Sequence, residues 1–249
     1  MKLLQLAGYK KSGKTALAEA LIARAVKREE SCAVIKNIHG ELDLTGKDDG
    51  ERFLKAGAKT AFLHRKGLTD TLSRTGGLMD LVRRALGSCD LLLVEGFKEA
   101  ALPRIWCGSG EIPQEEREAL LARFFLDASR REPGGGELCL YALGEDTLEA
   151  VDRIIDSLPP FPAGLDCGLC GTDCFGFYRK CIKNRDMRCP VQEGEKSVTL
   201  SVNGKELSLT PFVQSLFRET VKGFVRELKG YENGSIEIII HHQTKEEKK

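Results

Sequence analysis

The 249-residue sequence has no long hydrophobic run and almost no net charge. Its apolar stretch near the start, Leu3 to Ala7, is far too short for a signal peptide or a membrane-spanning helix. The formal net charge of +1 gives no bulk electrostatic attraction for nucleic acid or an anionic membrane surface. We therefore expect a cytoplasmic protein that binds neither. The hydrophobic content of 41% and the charged content of 30% are typical of a globular chain with one large or two ordinary domains.

Cysteine is abundant but unevenly distributed. Of the nine cysteines, five crowd into residues 167–189, and the others are scattered through the first 160 residues. In a cytosolic protein a crowded set more often binds metal than forms disulfides. The scattered ones (Cys32, Cys89, Cys107 and Cys139) are interpreted as small buried apolar residues.

Up to residue 158, short apolar runs alternate with segments whose apolar residues have helical spacing. This alternation predicts an α/β fold, with a mostly parallel sheet flanked by helices. Predicted strands are 3–7, 33–36, 60–64, 91–94, 104–107 and 138–142; predicted helices are 14–27, 50–55, 78–86, 114–125 and 147–158. Residues 1–158 are thus predicted to form a nucleotide-binding domain. The proline-rich residues 159–166 are a predicted linker. Residues 167–249 are predicted to form a small α+β metal-binding domain, with a hairpin at 197–209, a helix at 211–228 and a strand at 235–240.

A phosphate-binding loop follows the first predicted strand. Eight residues match G-x-x-x-x-G-K-[ST] at every fixed position, after a strand and at the start of a helix. Glycines let backbone N–H groups turn toward phosphate oxygens, and the helix N-terminus adds positive potential. Lys14 is predicted to bridge the β- and γ-phosphates, and the Thr15 hydroxyl to bind Mg²⁺. The predicted nucleotide-binding residues are Gly8, Tyr9, Lys10, Lys11, Ser12, Gly13, Lys14 and Thr15.

The second Mg²⁺ ligand is expected at the end of another central strand. The apolar run that starts at Leu91 ends in Glu95, which is the candidate, and Gly96 lets the chain turn away near the phosphates. Asp90, at the opposite end of this strand, is predicted to be a turn residue. There is no Asn-Lys-x-Asp guanine-reading motif, and Tyr9 stands where the iron-protein and partitioning ATPases have a signature lysine. The motifs alone therefore leave the base undetermined.

A further set of motifs follows the same order as in a known family. These are Val34–His39, Asp43, Gly46–Asp48, Lys55–Ala58 and Val94–Lys98. With the phosphate loop, over about residues 1–158, they resemble molybdopterin-guanine dinucleotide biosynthesis protein B, a family of P-loop GTP-binding adaptors in molybdenum cofactor maturation. By position, the resemblance assigns Lys14 and Thr15 to phosphate and Mg²⁺, and Glu95 to the metal. The sequence departs from the family in its loop residues 9–11 and in everything after Leu158.

Lys36, the last residue of the second predicted strand, and four polar residues after it are candidate cofactor or substrate residues; the four are His39, Asp43, Lys47 and Asp48. They follow the carboxyl end of a strand, where an open α/β sheet has its ligand crevice. Loops at such places commonly carry binding groups. The alternative interpretation is a solvated polar loop.

The resemblance implies GTP and Mg²⁺ as cofactors and the molybdopterin cofactor as a ligand. It implies the guanylyltransferase of that pathway and molybdoenzyme apoproteins as partners, with slow GTP hydrolysis at most, and we count a second copy of the chain among the candidate partners. No arginine finger or water-positioning glutamine is recognisable, and no residue is identified as catalytic. Two other classes stay open. One is a metallochaperone GTPase, and the other is a small-molecule kinase using Arg65, Arg74, Arg83 and Arg84.

The crowded cysteines predict a metal centre. Cys167, Cys170 and Cys174 lie on a Gly-rich loop whose spacing is similar to four-cysteine [4Fe–4S] segments. The fourth ligand must come from Cys181 or Cys189. A helix predicted over 175–184 would carry Cys181 roughly 10 Å along its axis from Cys174, whereas Cys189 can loop back, so Cys189 is favoured. Zinc is the alternative metal, because tetrahedral Cys₄ sites also use C-x₂-C pairs. Thiols without metal are the third interpretation.

Overall fold

The structure, a computed structural model, describes residues 1–37, 60–65, 68–73, 77–100, 102–129, 136–193, 197–232 and 234–239. Its centre is a six-stranded parallel sheet in the order β2-β5-β1-β6-β7-β8. The six strands are β1 (Lys2–Gly8), β2 (Cys32–Lys36), β5 (Leu91–Glu95), β6 (Arg104–Cys107), β7 (Leu120–Phe125) and β8 (Cys139–Tyr141). Two antiparallel pairs join β3 (Thr60–Arg65) to β4 (Leu68–Ser73), and β9 (Leu200–Val202) to β10 (Lys205–Leu207).

Helices flank the sheet and continue into the C-terminal segment. They are α1 (Lys14–Lys27), α2 (Leu78–Ala85), α3 (Gln114–Arg117), α4 (Glu145–Ser157), α5 (Cys174–Lys183), α6 (Pro190–Glu193) and α7 (Pro211–Arg226). In the described part of the chain, no helix has the length and apolar character needed to cross a membrane. The fold class predicted for the N-terminal region, a mostly parallel sheet between helices, is confirmed.

The sheet is covered on both faces, which explains its almost continuously apolar central strands. Alternate residues of β1 point in opposite directions. Leu4 and Leu6 pack with α1, α4 and β5 in a first core, whereas Leu3 packs with α2 and α5 in a second core. The phosphate loop follows directly from β1, so these two cores hold the strand that carries it.

The second core includes residues from beyond the predicted nucleotide-binding domain. Phe161 is 1% exposed and packs edge-on against Phe175 and Tyr178, and its backbone N–H donates to the Met1 carbonyl. The predicted linker 159–166 contains no helix or strand, but it packs against the sheet domain. The boundary at residue 158 stays a prediction.

The predicted helix over 114–125 is wrong beyond its first turn. Helix α3 ends at Arg117, and β7 occupies Leu120–Phe125 between β6 and β8. A short apolar run such as this one does not distinguish helix from buried strand by periodicity. The pairing partners on each side, which are distant in sequence, decide for the strand.

The C-terminal α+β core that periodicity predicted is not found among the described residues. The helix and the hairpin form, with Asn203 and Gly204 at positive φ as a type I′ turn requires. However, residues 235–239 form no strand, and the apolar side of α7 is open, with Phe212 75% and Phe224 70% exposed. None of the buried clusters in the described part of the chain includes a residue after Val191. The amphipathic helix thus has no partner surface among the described residues, and the C-terminal domain stays a prediction.

Candidate functional site

The phosphate loop lies at the carboxyl end of β1, between β5 and β6. The glycines are required by geometry. Gly8 has φ +140°, and a Cβ there would lie 2.2 Å from the Cys107 carbonyl oxygen. Gly13 has φ +89° and precedes α1, where a Cβ would lie 3.0 Å from the Leu126 Cβ. Side chains at these positions would displace β6 or the chain after β7, so the loop can close only with glycine.

Lys14 is folded into this loop. Its Nζ donates to the Tyr9 carbonyl at 2.6 Å, to the Gly8 carbonyl at 3.2 Å and to the Ser12 Oγ at 3.3 Å. Burial lowers the pKa of Lys14, and the negative charge of Glu95 opposes that shift. The ammonium group therefore lies inside the concave side of the loop, where phosphate oxygens would compete with the carbonyl groups for its protons.

Glu95 and Thr15 meet beside the loop. Glu95 ends β5 and lies on the same face as Leu93 and Leu91, toward α1, whose first turn carries Thr15. The Thr15 hydroxyl lies 3.2 Å from Glu95 Oε2, and Lys36 Nζ lies 3.1 Å from the same carboxylate oxygen. Glu95 is 7% exposed. A hydroxyl and a carboxylate are the hard oxygen donors that Mg²⁺ prefers, so the pair fits the predicted metal site.

The loop opens into a cavity of about 690 Å³. Among the described residues that line it there are five lysines and a single carboxylate. The lysines are Lys10, Lys11, Lys14, Lys36 and Lys98, and the carboxylate is Glu95. Such a charge distribution favours a polyanion, because low-dielectric walls concentrate the positive potential inside a cleft. The size, the charge and the loop geometry all fit the phosphates of a nucleotide.

Sequence reasoning gave no role to Lys98, which lines this cavity. Its Nζ lies 4.2 Å from the centre of the Tyr9 ring, which contacts the buried ring of Trp106 edge-on. Gln5, fully buried in β1, donates to the Gly96 and Phe97 carbonyls at 2.6 Å each and so fixes the turn that leads to Lys98. The motif that resembles the family ends at Lys98, and this was the available signal.

Other predicted residues divide into three groups. His39, Asp43, Lys47 and Asp48 lie outside the described residues, as does Arg74. Asp90 is a turn residue as predicted, because its carboxylate accepts hydrogen bonds from Ser31 at the amino end of the sheet. Arg83 does not face the phosphate loop. It contacts the Gly164 carbonyl, Asp80 and Asp166 on the second core's side, which removes it as a candidate substrate residue.

The cysteine segment forms a turn followed by α5. Gly168 and Gly171 have φ +72° and +76°, and the Gly171 N–H donates to the Gly168 carbonyl. Asp173 caps α5 by accepting from the Gly176 N–H at 2.6 Å, and Asp166 accepts from the Cys174 N–H at 2.8 Å. Cys167 is exposed. Among the described residues, no three His, Cys, Asp or Glu side chains gather in a way that could hold a metal ion. The donor chemistry suits a thiolate site, but the thiols are not assembled.

The expectation that α5 carries Cys181 away from the loop is wrong. Cys181 packs in one apolar cluster with Cys170 and Cys189, and burial and these two thiols raise its pKa. Cys174 and Cys181 are seven residues apart, which is about two helical turns, so they share a side of α5. The loop and the chain after α5 both fold onto that side, and so the structure does not choose between Cys181 and Cys189.

Comparisons with known proteins support the family resemblance. Residues 3–122 match the family described as molybdopterin guanine dinucleotide synthesis protein B (MobB). A Methanocaldococcus jannaschii protein with the provisional name of molybdopterin-guanine dinucleotide biosynthesis adapter protein is 28% identical over 242 residues, covering 94% of each chain. That match therefore extends beyond Leu158 into the cysteine segment. The adapter protein of Haemophilus influenzae is 35% identical over 111 residues, which are 41% of this chain and 61% of that one.

A solved structure extends the similarity to the fold. The crystal structure of Bacillus subtilis MobB covers 62% of this chain and 98% of its own, at 23% identity and a TM-score of 0.51. In sequence over residues 3–122, and in fold over 62% of its length, the chain is thus similar to the MobB family, the family that its motifs indicate.

Proposed function

We propose that the chain is a GTP-binding adaptor of molybdopterin guanine dinucleotide biosynthesis or delivery, and a member of the MobB family. The observation that carries the proposal is the lysine-lined cavity at the phosphate loop, with Thr15 and Glu95 in contact at its floor. Two relatives named as adapter proteins of this pathway supply the biological context. GTP is proposed as the nucleotide because the pathway's product contains guanine.

In this proposal each group has a defined task. The Lys14 ammonium leaves the loop carbonyls for the β- and γ-phosphates, and the backbone N–H groups of the loop bind the remaining oxygens. Thr15 and Glu95 would hold Mg²⁺, which would supply positive charge to neutralise the phosphates. Lys36 at the end of β2 and the candidates that follow it (His39, Asp43, Lys47 and Asp48) are proposed to contact the pterin or a protein partner. Those partners are the guanylyltransferase, molybdoenzyme apoproteins and a second copy of the chain.

Hydrolysis is proposed to be slow. The described residues that line the cavity supply positive charge through lysines, and they include neither arginine nor glutamine. Fast nucleotide hydrolysis in P-loop proteins usually depends on an arginine that stabilises the transition state and a residue that orients water. The protein is therefore proposed to act through its nucleotide-bound state and not through turnover.

Titration of the purified protein with GTP, ATP and molybdopterin, in wild type and Lys14→Ala, tests the proposal. We expect binding of GTP and pterin without phosphorylation of any added small molecule. Lys14→Ala should remove most triphosphate affinity and leave the protein folded, because the hydrogen bonds of this side chain lie within the loop. Lys27→Ala, which removes an equal charge at the far end of α1, should bind like wild type. Equal GTP binding by Lys14→Ala and wild type would refute the phosphate-site assignment.

A [4Fe–4S] cluster on Cys167, Cys170, Cys174 and Cys189 is the second part of the proposal, with zinc as the alternative. Its support is the donor set, the glycine-containing turn and the packing of Cys189 against Cys170 in one cluster. Anaerobically purified protein should be brown and contain about four iron atoms per chain. Serine at any of the four positions should deplete the iron, since a hydroxyl is a poor substitute for a soft thiolate. Stoichiometric zinc without iron would instead identify a Cys₄ zinc site.

Because Cys181 lies in the same cluster as Cys189, the two serine variants need to be compared directly. Loss of iron in Cys189→Ser with retention in Cys181→Ser would establish the proposed ligand set. The reverse result would replace Cys189 by Cys181. Absence of both metals would leave the thiols as a buried apolar cluster.

A further inference from the structure

Lys36 occupies an unusual position beside the phosphate loop. It is the last residue of β2 and the register partner of Glu95, the last residue of β5. Its Nζ lies 3.1 Å from Glu95 Oε2 and 3.1 Å from Thr15 Oγ1, while Thr15 Oγ1 lies 3.2 Å from that same carboxylate oxygen. The ammonium group thus contacts both oxygen atoms that are proposed to hold Mg²⁺.

The fold itself does not require this contact. Sheet pairing and the two cores place β2 and β5 without it, and the Lys36 side chain is 46% exposed, so the ion pair contributes little to stability. The Glu95 side chain is only 10% exposed, however, and a buried carboxylate needs a partner charge. Lys14, the other nearby cation, donates to loop carbonyls. Lys14 also interacts with the charge of Glu95, but Lys36 is the cation that contacts the Glu95 carboxylate directly.

We propose that Lys36 is a built-in cation that occupies the metal site without nucleotide and is displaced when Mg²⁺ and the triphosphate bind together. This inference rests on the proposed nucleotide site. Mg²⁺ binds oxygen ligands at about 2.0–2.1 Å, so an ion held by Thr15 and Glu95 would take the place of the ammonium group. Mg²⁺ and the Lys36 ammonium group cannot occupy this place together, because two positive charges repel each other strongly at such short separations.

Displacement of Lys36 couples the metal to the nucleotide. Mg²⁺ alone must expel the ammonium group into a cavity that already contains four other lysines. A triphosphate supplies negative charge to which the Lys36 side chain can turn from the edge of the same cavity. Each ligand therefore strengthens the binding of the other, and the coupling is reciprocal. Lys36 acts as a positioning residue that prevents the site from binding a divalent cation before a nucleotide arrives.

The test uses Mn²⁺ as a spectroscopic substitute for Mg²⁺, titrated into nucleotide-free full-length protein and followed by electron paramagnetic resonance. We expect Lys36→Met to bind Mn²⁺ about tenfold more tightly than wild type. Lys36→Arg, which keeps the charge, should bind as weakly as wild type. Lys27→Met, which removes the same charge far from the cavity, should also match wild type. Equal Mn²⁺ affinity in Lys36→Met and wild type would overturn the proposal.

Two further measurements make the result specific. Adding Glu95→Gln to Lys36→Met should abolish the gained Mn²⁺ binding, and persistence of that binding would place the ion elsewhere and overturn the proposal. The factor by which Mg²⁺ raises GTP affinity should be smaller in Lys36→Met than in wild type, and an unchanged factor would contradict the coupling. If wild type binds no GTP at all, the proposed function fails, but the nucleotide-free Mn²⁺ titration still tests the role of Lys36. Thermal unfolding checks that each variant is folded.

Discussion

Glu95 connects the sheet to the phosphate loop at the level of a single residue. It belongs to β5 by its backbone, faces α1 by strand alternation, and contacts Thr15 and Lys36 by its carboxylate. Its backbone is fixed by pairing with both β1 and β2. A substitution that keeps its size therefore changes charge without moving the site.

Replacement of Glu95 by Gln should weaken Mg²⁺-dependent GTP binding far more than Mg²⁺-independent binding, because an amide is a poorer ligand for a hard cation than a carboxylate. Calorimetric titration of GTP with and without Mg²⁺ measures both quantities. Glu99→Gln is a matched control in the exposed turn that follows, and it should behave as wild type. Superimposable Mg²⁺ titrations for Glu95→Gln and wild type would place the second metal ligand elsewhere, with Asp48 the next candidate.

Cys107 provides a pH-dependent contribution to stability. Burial raises the pKa of its thiol to about 12, with the nearby Lys14 charge opposing, from an ordinary value of 9.0. Between these two values the unfolded chain loses the proton and the folded chain retains it. The free energy of unfolding should therefore fall as pH rises above 9.0, by about 1.4 kcal/mol per pH unit at most for this group.

Urea denaturation of wild type and Cys107→Ala between pH 8 and 11 checks this prediction. In about the upper part of this pH range an unperturbed thiol is ionised. The variant should be less stable at pH 8 because of the cavity, but its stability should fall less steeply with pH. Parallel pH profiles for Cys107→Ala and wild type would show that this thiol does not titrate as described.

At the level of elements, α5 supplies the hydrogen-bond partner for the part of β1 that does not pair with β6. Strand β6 begins opposite Gln5, so the N–H and C=O groups of Leu3 have no strand partner on that side. The Tyr178 hydroxyl fills this place, accepting from the Leu3 N–H at 3.2 Å and donating to the Leu3 carbonyl at 3.0 Å. A side chain from the cysteine segment thus takes the role of a missing strand residue.

We expect Tyr178→Phe to destabilise the protein by about 1–3 kcal/mol, since it leaves two buried backbone groups without a partner and keeps the ring. The urea midpoint should fall with an unchanged slope, and GTP binding should persist at temperatures where the variant is folded. Tyr9→Phe removes a hydroxyl from a ring that is 49% exposed and should not change stability. Equal stability of Tyr178→Phe and wild type would mean that water replaces the hydroxyl.

At the scale of the molecule, residues 159–193 belong energetically with the sheet domain. Phe161 and Tyr178 are buried in the second core, Lys183 pairs with Glu118, and Arg83 pairs with Asp166. Residues 197–239, in contrast, contribute to none of the buried clusters among the described residues. The energetic boundary should therefore lie near residue 193 and not at 158.

Two truncations test this boundary. A chain ending at residue 158 should lose cooperative unfolding and bind a hydrophobic dye, because the second core loses its cover. A chain ending at residue 193 should keep both cores, unfold cooperatively and retain GTP binding. If the chain of residues 1–158 is as stable as the full-length protein, the predicted domain boundary at 158 is the correct one.

The amino-acid sequence by itself determined the phosphate loop, the mostly parallel α/β character of the N-terminal region and the position of Glu95. These follow from local rules. Glycine at positive φ, a buried strand before the loop with a helix after it, and alternation along β5 are all properties of neighbouring residues. The same local rules predicted the turn at Asp90 and the type I′ turn at Asn203 and Gly204.

Only the tertiary structure decided which distant residues meet. Lys36 reaches Glu95 because β2 and β5 pair in register, β7 is a strand because β6 and β8 flank it, and Tyr178 completes the edge of β1 across 175 residues of sequence. The apolar side of α7 carries the signal of a buried helix yet has no partner surface among the described residues. Periodicity reports which side of an element is apolar, but the surface that covers that side is set by packing between segments far apart in the chain.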